Sequence, residues 1–315
     1  MQLPEAFITL QRGLYGARGE AFVRALPDTL AGAAARWGLT LGQPFKISYN
    51  YVTAARLADG TPVVLKAGVP GERELLTEMA ALRAWDGVGA ARLLRADPAA
   101  GLMLLEHVLP GTPLADLLLP ESGLAGAGPA CDEAATRIAA GVFAQAARPL
   151  PAGHDFPAIA DLAAGLSRLR PAFGGGTGPF PRRVVEAAES LFTELLASQG
   201  PPVLLHGDLH HWNILQAGPR GWLLIDPKGV AGEREYELGC FLRNPMDMLE
   251  PLPNLRAVLQ RRIAILCEHL GYDRRRVAGW ALASTVLAAW WFCEESGAPS
   301  YGDLVIAEAL DKQTV

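Results

Sequence analysis

The stretch over residues 203–237 constrains this chain more than any other. It reads VLLHGDLHHWNILQAGPRGWLLIDPKGVAGEREYE, and two short apolar runs in it, VLLH and WLLI, are typical of buried strands. Polar residues follow each run: Asp208 and Asn213 follow the first, and Asp226 follows the second. The pattern predicts two neighbouring strands whose ends present oxygen-bearing side chains.

Phosphoryl transfer from ATP needs this set of side chains. One carboxylate orients and deprotonates the acceptor hydroxyl, while an amide oxygen and a second carboxylate hold Mg²⁺ against the phosphates. The Asp-x4-Asn spacing lets Asp208 and Asn213 leave one loop toward one centre, which Asp226 approaches from the neighbouring strand. Each residue alone also fits an ordinary turn or loop role. Only the joint arrangement is specific.

A strand-borne lysine upstream completes the pattern. Only four of the 28 basic residues are lysines, and Lys66 ends the apolar run VVLK. An ATP-binding kinase uses such a lysine on the α- and β-phosphates and pairs it with a glutamate of the following helix. Of Glu72, Glu74 and Glu78 we favour Glu78, because it lies two turns into the helix. The alternative is a solvated lysine near surface glutamates.

The N-terminal third predicts a sheet preceded by helices. Residues 5–38 have helical periodicity; a second helix is expected to begin at Pro27 and to end at Gly38. Asp59-Gly60 indicates a hairpin turn. Strands are predicted over 45–48, 51–57 and 62–66, followed by a helix and by two more strands around a turn at 98–101. The result is a five-stranded, largely antiparallel sheet with one inserted helix.

From Pro110 onward the pattern is mostly helical. Helical periodicity covers residues 131–148, 156–170, 181–199, 254–271 and 277–295. The last of these is apolar but short for a membrane span, and charged residues flank it, so we interpret it as a buried helix. The predicted fold class is α+β and two-lobed: residues 1–107 form a small N-terminal sheet lobe, and 108–315 form a larger helical lobe with the catalytic loop.

Composition narrows the range of partners. The chain has 315 residues, 50% of them hydrophobic, and a net charge of −5, which disfavours a nucleic-acid-binding surface and allows a cationic small-molecule partner. Its four cysteines form no CxxC unit, which fits reduced thiols in a cytosol. The N-terminus lacks a signal-peptide pattern. We therefore expect a cytoplasmic protein without a membrane partner; the oligomeric state stays open.

The motifs resemble a known family. HGDLHHWNIL, LLIDPKG and VVLK resemble the aminoglycoside phosphotransferase branch of the protein-kinase-like fold. HGDLHHWN, IDPKG, GERE and FLRNP are similar, more narrowly, to the aminoglycoside/hydroxyurea resistance kinases, over about residues 40–300. The resemblance implies ATP and Mg²⁺ as cofactors. It implies Asp208 as catalytic base, Asn213 and Asp226 as Mg²⁺ ligands, Lys66 and Glu78 as the phosphate-binding pair, and the backbone of Glu106 and Val108 as the adenine contact.

The chain departs from the family pattern at two positions of the predicted site, and the role of a third residue, Lys228, stays open. No G-x-G-x-x-G joins the first two strands, so Ser48 and backbone amides would have to cover the phosphates. The position where an aspartate is usual holds Glu237, which puts a contact there in doubt. Lys228, directly after Asp226-Pro227, either offsets charge on the γ-phosphoryl group or pairs with Glu233 or Glu235.

The acceptor is the least defined part of the prediction. The resemblance implies a hydroxyl of an aminoglycoside-type, streptomycin-like antibiotic, and a cationic sugar needs nearby carboxylates. The acidic residues that the helical lobe offers are Asp247, Glu250, Glu294, Glu295 and Asp303. A housekeeping kinase of a metabolite alcohol stays open. A metal-dependent hydrolase built on the histidines of HGDLHH is a remote alternative, as is a nucleotide-binding module without catalysis.

Overall fold

The chain divides after Gly111 into two units, Met1–Gly111 and Thr112–Val315. The structure is a computed structural model that describes residues 3–46, 49–118 and 129–311. A small antiparallel sheet lies in the first unit, and the second is mostly helical. The predicted α+β class is confirmed.

The first unit is a sheet with three helices. Its strands lie in the order β1-β2-β3-β5-β4, and every neighbouring pair is antiparallel. Its elements are α1 (Glu5–Tyr15), α2 (Ala17–Trp37), β1 (Leu39–Pro44), β2 (Tyr51–Leu57), β3 (Pro62–Ala67), α3 (Arg73–Trp85), β4 (Leu93–Asp97) and β5 (Leu102–Glu106). The five-stranded antiparallel sheet and its inserted helix are as the sequence predicts.

Two predicted boundaries in this unit are wrong. The second helix does not begin at Pro27, which lies inside α2; the break falls at Gly16, whose φ of 55° ends α1. Burial of Leu26 and Leu30 on either side of Pro27 offsets the backbone hydrogen bond that the proline removes. The first strand is β1, because Gly38 ends α2 in a left-handed conformation and the chain pairs with β2 at once. Of the strand predicted over 45–48, residues 45 and 46 follow β1, and residues 47 and 48 lie outside the described residues.

Alternation along β3 separates a face that packs in the main core from the face that carries Lys66. Leu65 and Ala67 belong to the core cluster that α1 and α2 form over the sheet, in which Phe7 and Phe22 meet edge to face. Lys66 lies between them in sequence and therefore points to the opposite face of the sheet. The strand thus directs the lysine away from the main core and toward α3.

The second unit contains two short two-stranded sheets among its helices. β6 pairs with β9, and β7 pairs with β8, both antiparallel. Its elements are α4 (Pro129–Ala146), α5 (Ile159–Ala163), α6 (Leu169–Ala172), α7 (Arg182–Ala197), β6 (Val203–Leu205), β7 (Ile214–Gln216), β8 (Trp222–Leu224), β9 (Val230–Gly232), α8 (Leu238–Leu242), α9 (Met246–Leu249), α10 (Leu255–Leu270), α11 (Arg274–Ser296) and α12 (Tyr301–Asp311).

The predicted helix over 156–170 is divided into α5, a 3₁₀ turn and α6. The strands β7 and β9 were not predicted, since three residues are too few to establish an alternation. Both lie beside the predicted site, because β7 follows the HGDLHHWN segment and β9 follows IDPKG.

The apolar segment near the C-terminus is the core helix α11. Asp273 caps it by accepting a hydrogen bond from the Arg276 amide at 2.8 Å, and Gly297 ends it with a φ of 81°. The helix is long and apolar enough to cross a membrane, yet 72% of its most apolar 18-residue stretch is buried inside the protein. Trp280, which is fully buried, packs edge to face against Phe192 of α7. The interpretation as a buried helix is confirmed.

Candidate active site

His206 organises the loops that carry the candidate catalytic residues. It is fully buried; its Nε2 lies 2.8 Å from the Ile225 carbonyl oxygen, and its Nδ1 accepts a hydrogen bond from the Asp208 amide. Its carbonyl accepts the amides of Lys228 and Gly229, at 2.8 and 3.0 Å. Burial lowers the pKa of His206 to about 4, so the ring is neutral at pH 7. This histidine holds the Asp208 loop against the IDPKG loop.

Asp208 has a defined partner at each of its polar atoms. Its carbonyl accepts the Asn213 side-chain amide at 2.9 Å, and its carboxylate lies 3.6 Å from Lys228 Nζ through Oδ2. The other oxygen, Oδ1, is 3.3 Å from the thiol of Cys240. Burial raises the pKa of the Asp208 carboxyl, but Lys228, His210 and Arg243 together hold it well below its usual range. The side chain is therefore an ionised, oriented carboxylate.

Asn213 and Asp226 supply oxygen donors from two connected loops. The Asn213 side chain is buried, and its nitrogen is engaged with the Asp208 carbonyl, so Oδ1 is the atom that remains for a ligand. The Asn213 carbonyl accepts the Ile225 amide at 3.0 Å, which fixes the residue before Asp226. Asp226 itself is exposed and has a φ of 59°, an unusual conformation of the kind that functional sites retain.

Lys228 contacts the Asp208 carboxylate, an ion pair that the sequence did not predict. The predicted alternative partner Glu233 is instead engaged by Arg276, at 2.6 and 2.7 Å, and by the indole of Trp280 at 2.8 Å. These contacts tie the end of β9 to α11. Lys228 remains close to the carboxylate that is the candidate base.

Glu237 holds the backbone of the catalytic loop, which resolves the doubt about this position. Its carboxylate accepts the amides of His206 and of Gly207, the latter at 3.0 Å. Burial raises the pKa of Glu237 to about 7, although these amide hydrogen bonds lower it. The longer side chain therefore fits where an aspartate is usual.

In the first unit, Lys66 and Glu78 form a buried ion pair. Lys66 Nζ lies 2.6 and 2.8 Å from the two carboxylate oxygens of Glu78, and both side chains are at most 5% exposed. Glu72, an earlier candidate, caps α3 by accepting the Leu75 amide. The pair fixes the position of the ammonium on the face of the sheet opposite to α1 and α2.

The remaining predicted nucleotide contacts lie at the end of β5. The Glu106 amide donates to the Arg92 carbonyl at 2.9 Å, and Glu106 Oε2 accepts the Arg92 amide at 3.1 Å. Val108 is buried. Ser48, predicted to cover the phosphates, lies outside the residues that the structure describes.

The structure gives no support to a zinc site. Within residues 3–46, 49–118 and 129–311, no group of three or more His, Cys, Asp and Glu side chains could hold a metal ion. Both ring nitrogens of His206 are engaged, and His211 is fully buried in a stack on Phe241 at 4.2 Å.

Two of the acidic residues considered for a cationic acceptor have other partners. Glu294 forms a two-pronged ion pair with Arg168 at 2.7 Å. Asp303 is buried, which raises its pKa, and the charge of Arg243 opposes that shift. Asp247 is exposed and Glu250 half-buried on and beside α9.

Sequence reasoning missed Cys240 and Arg243. Arg243 Nη2 lies 3.5 Å from Cys240 Sγ, which in turn contacts Asp208. A lone cysteine and an arginine in FLRNP carry no spacing signal toward a loop 32 residues earlier. Only the packing of α8 against the catalytic loop brings them together.

Comparison with known proteins agrees with this geometry. The family model described as aminoglycoside/hydroxyurea antibiotic resistance kinase matches residues 36–296. The chain is 31% identical to streptomycin 6-kinase of Streptomyces glaucescens, covering 98% of this chain and 97% of that protein. It is 32% identical to hydroxyurea phosphotransferase of Kitasatospora aureofaciens, covering 98% and 86%.

Solved structures show the same fold. Aminoglycoside phosphotransferase APH(4)-Ia, in a ternary complex with ADP and hygromycin B, superimposes with a TM-score of 0.57 at 14% identity, covering 90% of this chain and 97% of that one. The fold is thus that of the protein-kinase-like phosphotransferases, enzymes that move a phosphoryl group to an alcohol. Within that class, the chain belongs to the aminoglycoside/hydroxyurea antibiotic resistance kinase family.

Proposed function

We propose that this kinase transfers the γ-phosphoryl group of ATP, with Mg²⁺, to a hydroxyl of an aminoglycoside-type antibiotic such as streptomycin. One observation carries the proposal: an ionised Asp208 is held beside Lys228 on a loop that also fixes Asn213. The solved structure of APH(4)-Ia, which has the same fold, contains bound ADP, and this supports ATP as the phosphoryl donor here. Because ATP is the donor, we place the reaction in the cytoplasm.

Asp208 acts as the base. The acceptor hydroxyl donates to its carboxylate, and the proton passes to Asp208 as the acceptor oxygen bonds to the γ-phosphorus. The bond between that phosphorus and the bridging oxygen breaks, and ADP leaves. A carboxylate of low pKa is a weak base, so its main contribution is to orient the hydroxyl, with proton transfer late in the reaction.

The donor set of the second unit fits Mg²⁺. Asn213 Oδ1 and the Asp226 carboxylate are hard oxygen ligands, and Mg²⁺ typically uses one or two protein carboxylates together with phosphates and water. When bound, the ion would neutralise charge on the phosphate oxygens. The chain's contribution is to orient both ligands, Asn213 through Asp208 and Asp226 through the hydrogen bonds that flank it.

Five further residues would contact the nucleotide. Lys66, oriented by Glu78, binds the α- and β-phosphates. Lys228 offsets charge on the γ-phosphoryl group during transfer, since its ammonium already lies next to the base. Backbone groups of Glu106 and Val108 meet adenine, and Ser48 with its neighbouring amides covers the phosphates.

The proposal of an antibiotic as acceptor is based on the two related enzymes. Streptomycin and hydroxyurea are named as acceptors in the two relatives described above, each over at least 86% of its own length. Streptomycin is the better candidate, because the chain's net charge of −5 favours a cationic sugar.

The test is ATP consumption by the purified protein with streptomycin, hydroxyurea and a panel of neutral sugars, together with mass analysis of the acceptor. We expect phosphorylated streptomycin. If only a neutral metabolite alcohol is phosphorylated, the enzyme is a housekeeping kinase and the antibiotic assignment is wrong.

A paired substitution tests the base. Asp208→Asn should lower kcat about 10²–10⁴-fold while calorimetry still detects ATP binding. Asp28→Asn, on an exposed position of α2, is the matched control and should leave kcat unchanged. Undiminished turnover in Asp208→Asn would show that this carboxylate is not the base.

A further inference from the structure

The thiol of Cys240 contacts the carboxylate that the proposed mechanism uses. Cys240 lies on α8, and its Sγ is 3.3 Å from Asp208 Oδ1, within the range of a sulfur hydrogen bond. The other carboxylate oxygen, Oδ2, is 3.6 Å from Lys228 Nζ. The two oxygens of Asp208 therefore have different neighbours, a neutral thiol on one and an ammonium on the other.

The surroundings of Cys240 keep the sulfur a donor. Burial raises the pKa of its thiol well above the usual value, so the proton remains on sulfur at neutral pH. Arg243 Nη2 lies 3.5 Å from Sγ and donates to it, which directs the S–H bond away from the arginine. Asp208 Oδ1 is the acceptor in that remaining direction. The chain of contacts thus runs from Arg243 through Cys240 to Asp208.

We infer that Cys240 is a positioning residue: its S–H group fixes the rotation of the Asp208 carboxylate so that Oδ2 faces the acceptor hydroxyl. The inference rests on the proposed role of Asp208 as base. A thiol suits this task because it is a weak donor, so it can orient an oxygen without removing much of its basicity. Glu237 and Asn213 already hold the backbone of the loop, and Lys228 contacts Oδ2 over a longer distance of 3.6 Å. The contact at Oδ1 through which Cys240 can fix the side-chain rotation is the shorter one, at 3.3 Å.

The test compares three substitutions at Cys240 in the full chain with streptomycin as acceptor. Cys240→Ala and Cys240→Val both remove the donor, and Ala is smaller than Cys whereas Val is larger. A loss of kcat common to both variants therefore reflects the missing hydrogen bond rather than a packing defect. Cys240→Ser keeps a donor. Cys131→Ala, a half-buried cysteine at the start of α4, is the control.

We expect kcat to fall on the order of tenfold in Cys240→Ala and Cys240→Val, with the KM values for ATP and acceptor unchanged. Cys240→Ser should recover most of the kcat, and Cys131→Ala should match wild type. The inference is overturned if Cys240→Val has the same kcat as wild type, or if Cys240→Ser is as slow as Cys240→Val.

A crystal structure of Cys240→Val separates this inference from the proposed function. The Asp208 carboxylate should be rotated relative to wild type, and an unchanged rotation overturns the inference whatever the acceptor is. If the wild-type protein yields no phosphorylated product, the proposed function is overturned instead. The rotation of the Asp208 carboxylate in the two crystal structures then still decides the inference about Cys240.

Discussion

Lys66 and Glu78 are at most 5% exposed, so each charge is stabilised in the interior by the opposite charge of the other. A buried ammonium that loses its carboxylate keeps its desolvation cost without the attraction that offset it. The same pair orients the lysine that we propose to bind phosphates. Stability and nucleotide binding therefore depend on one contact.

We predict that Glu78→Ala lowers the free energy of unfolding by about 3–5 kcal/mol, measured by urea denaturation. The control is Glu186→Ala, which removes an exposed pair with Arg182 one helical turn away and should leave the free energy of unfolding nearly unchanged, because solvent screens that pair. Similar small losses in both variants would contradict the buried-pair argument.

Glu237 predicts a specific pH dependence of stability. Its pKa in the folded protein is about 7, above that of an unfolded-chain glutamate, so the folded state binds the proton more tightly. The stability from this group is complete below about pH 4 and is lost as pH rises toward 7. Glu237→Gln lacks this loss, because its amide does not titrate.

Urea unfolding of wild type and Glu237→Gln from pH 4 to 8 measures the effect. The stability of the variant relative to wild type should rise through this range, by on the order of 3 kcal/mol in total. Parallel stability curves for the two proteins would show that folding does not raise the pKa of Glu237.

At the scale of elements, the turn between β6 and the catalytic loop has little tolerance. Gly207 has a φ of 83°, and a Cβ there would lie 2.6 Å from Val230 Cγ2 on β9. A side chain would need both an unfavourable backbone conformation and movement of β9. The glycine in HGD is thus required by packing as well as by the turn.

We predict that Gly207→Ala destabilises the protein by about 1–3 kcal/mol and lowers kcat, because β9 leads from the IDPKG loop. The same change at Gly32, in the exposed middle of α2 with no atom near a new Cβ, should stabilise by about 0.5–1 kcal/mol. Thermal unfolding of both variants checks the prediction: the melting temperature should fall for Gly207→Ala and rise for Gly32→Ala. Melting temperatures that shift in the same direction would contradict it.

Elements with strong local signals were predictable and short ones were not. Alternation and the Asp59-Gly60 turn located β2 and β3, and the capping signal at Gly38 marks the end of α2. The strands β7 and β9 have three residues each and depend on pairing with distant partners. Pro27 misled the prediction because burial of the α2 face outweighs a local preference.

The same difference between local sequence signals and long-range contacts applies within the candidate site. Asp208, Asn213, Asp226 and Lys66 stand in motifs whose spacing reflects the chemistry, so the sequence alone singles them out. The contacts that orient Asp208 come from Glu237 and Cys240 about 30 residues later, and tertiary packing alone decides them. Sequence patterns thus indicated the candidate reacting groups and the Glu78 partner of Lys66, but not the contacts that orient Asp208.

At the scale of the whole molecule, a net charge of −5 should attract a cationic acceptor over distances that salt screens. We predict that the KM for streptomycin rises between about 10 mM and about 300 mM NaCl, where the Debye length falls from about 30 Å to below 8 Å. The KM for hydroxyurea, which is neutral, is the control and should stay constant. Equal salt dependence of the two acceptors would exclude electrostatic attraction by this protein as a source of preference.

Glu237 and Cys240 are three residues apart, where α8 begins, so one turn of helix reaches both the backbone of the HGD loop and the carboxylate of Asp208. A displacement of that turn would move both contacts together. Variants selected in the laboratory for new acceptors should therefore accumulate changes elsewhere and leave this turn intact, because its substitution would impair turnover with every acceptor alike.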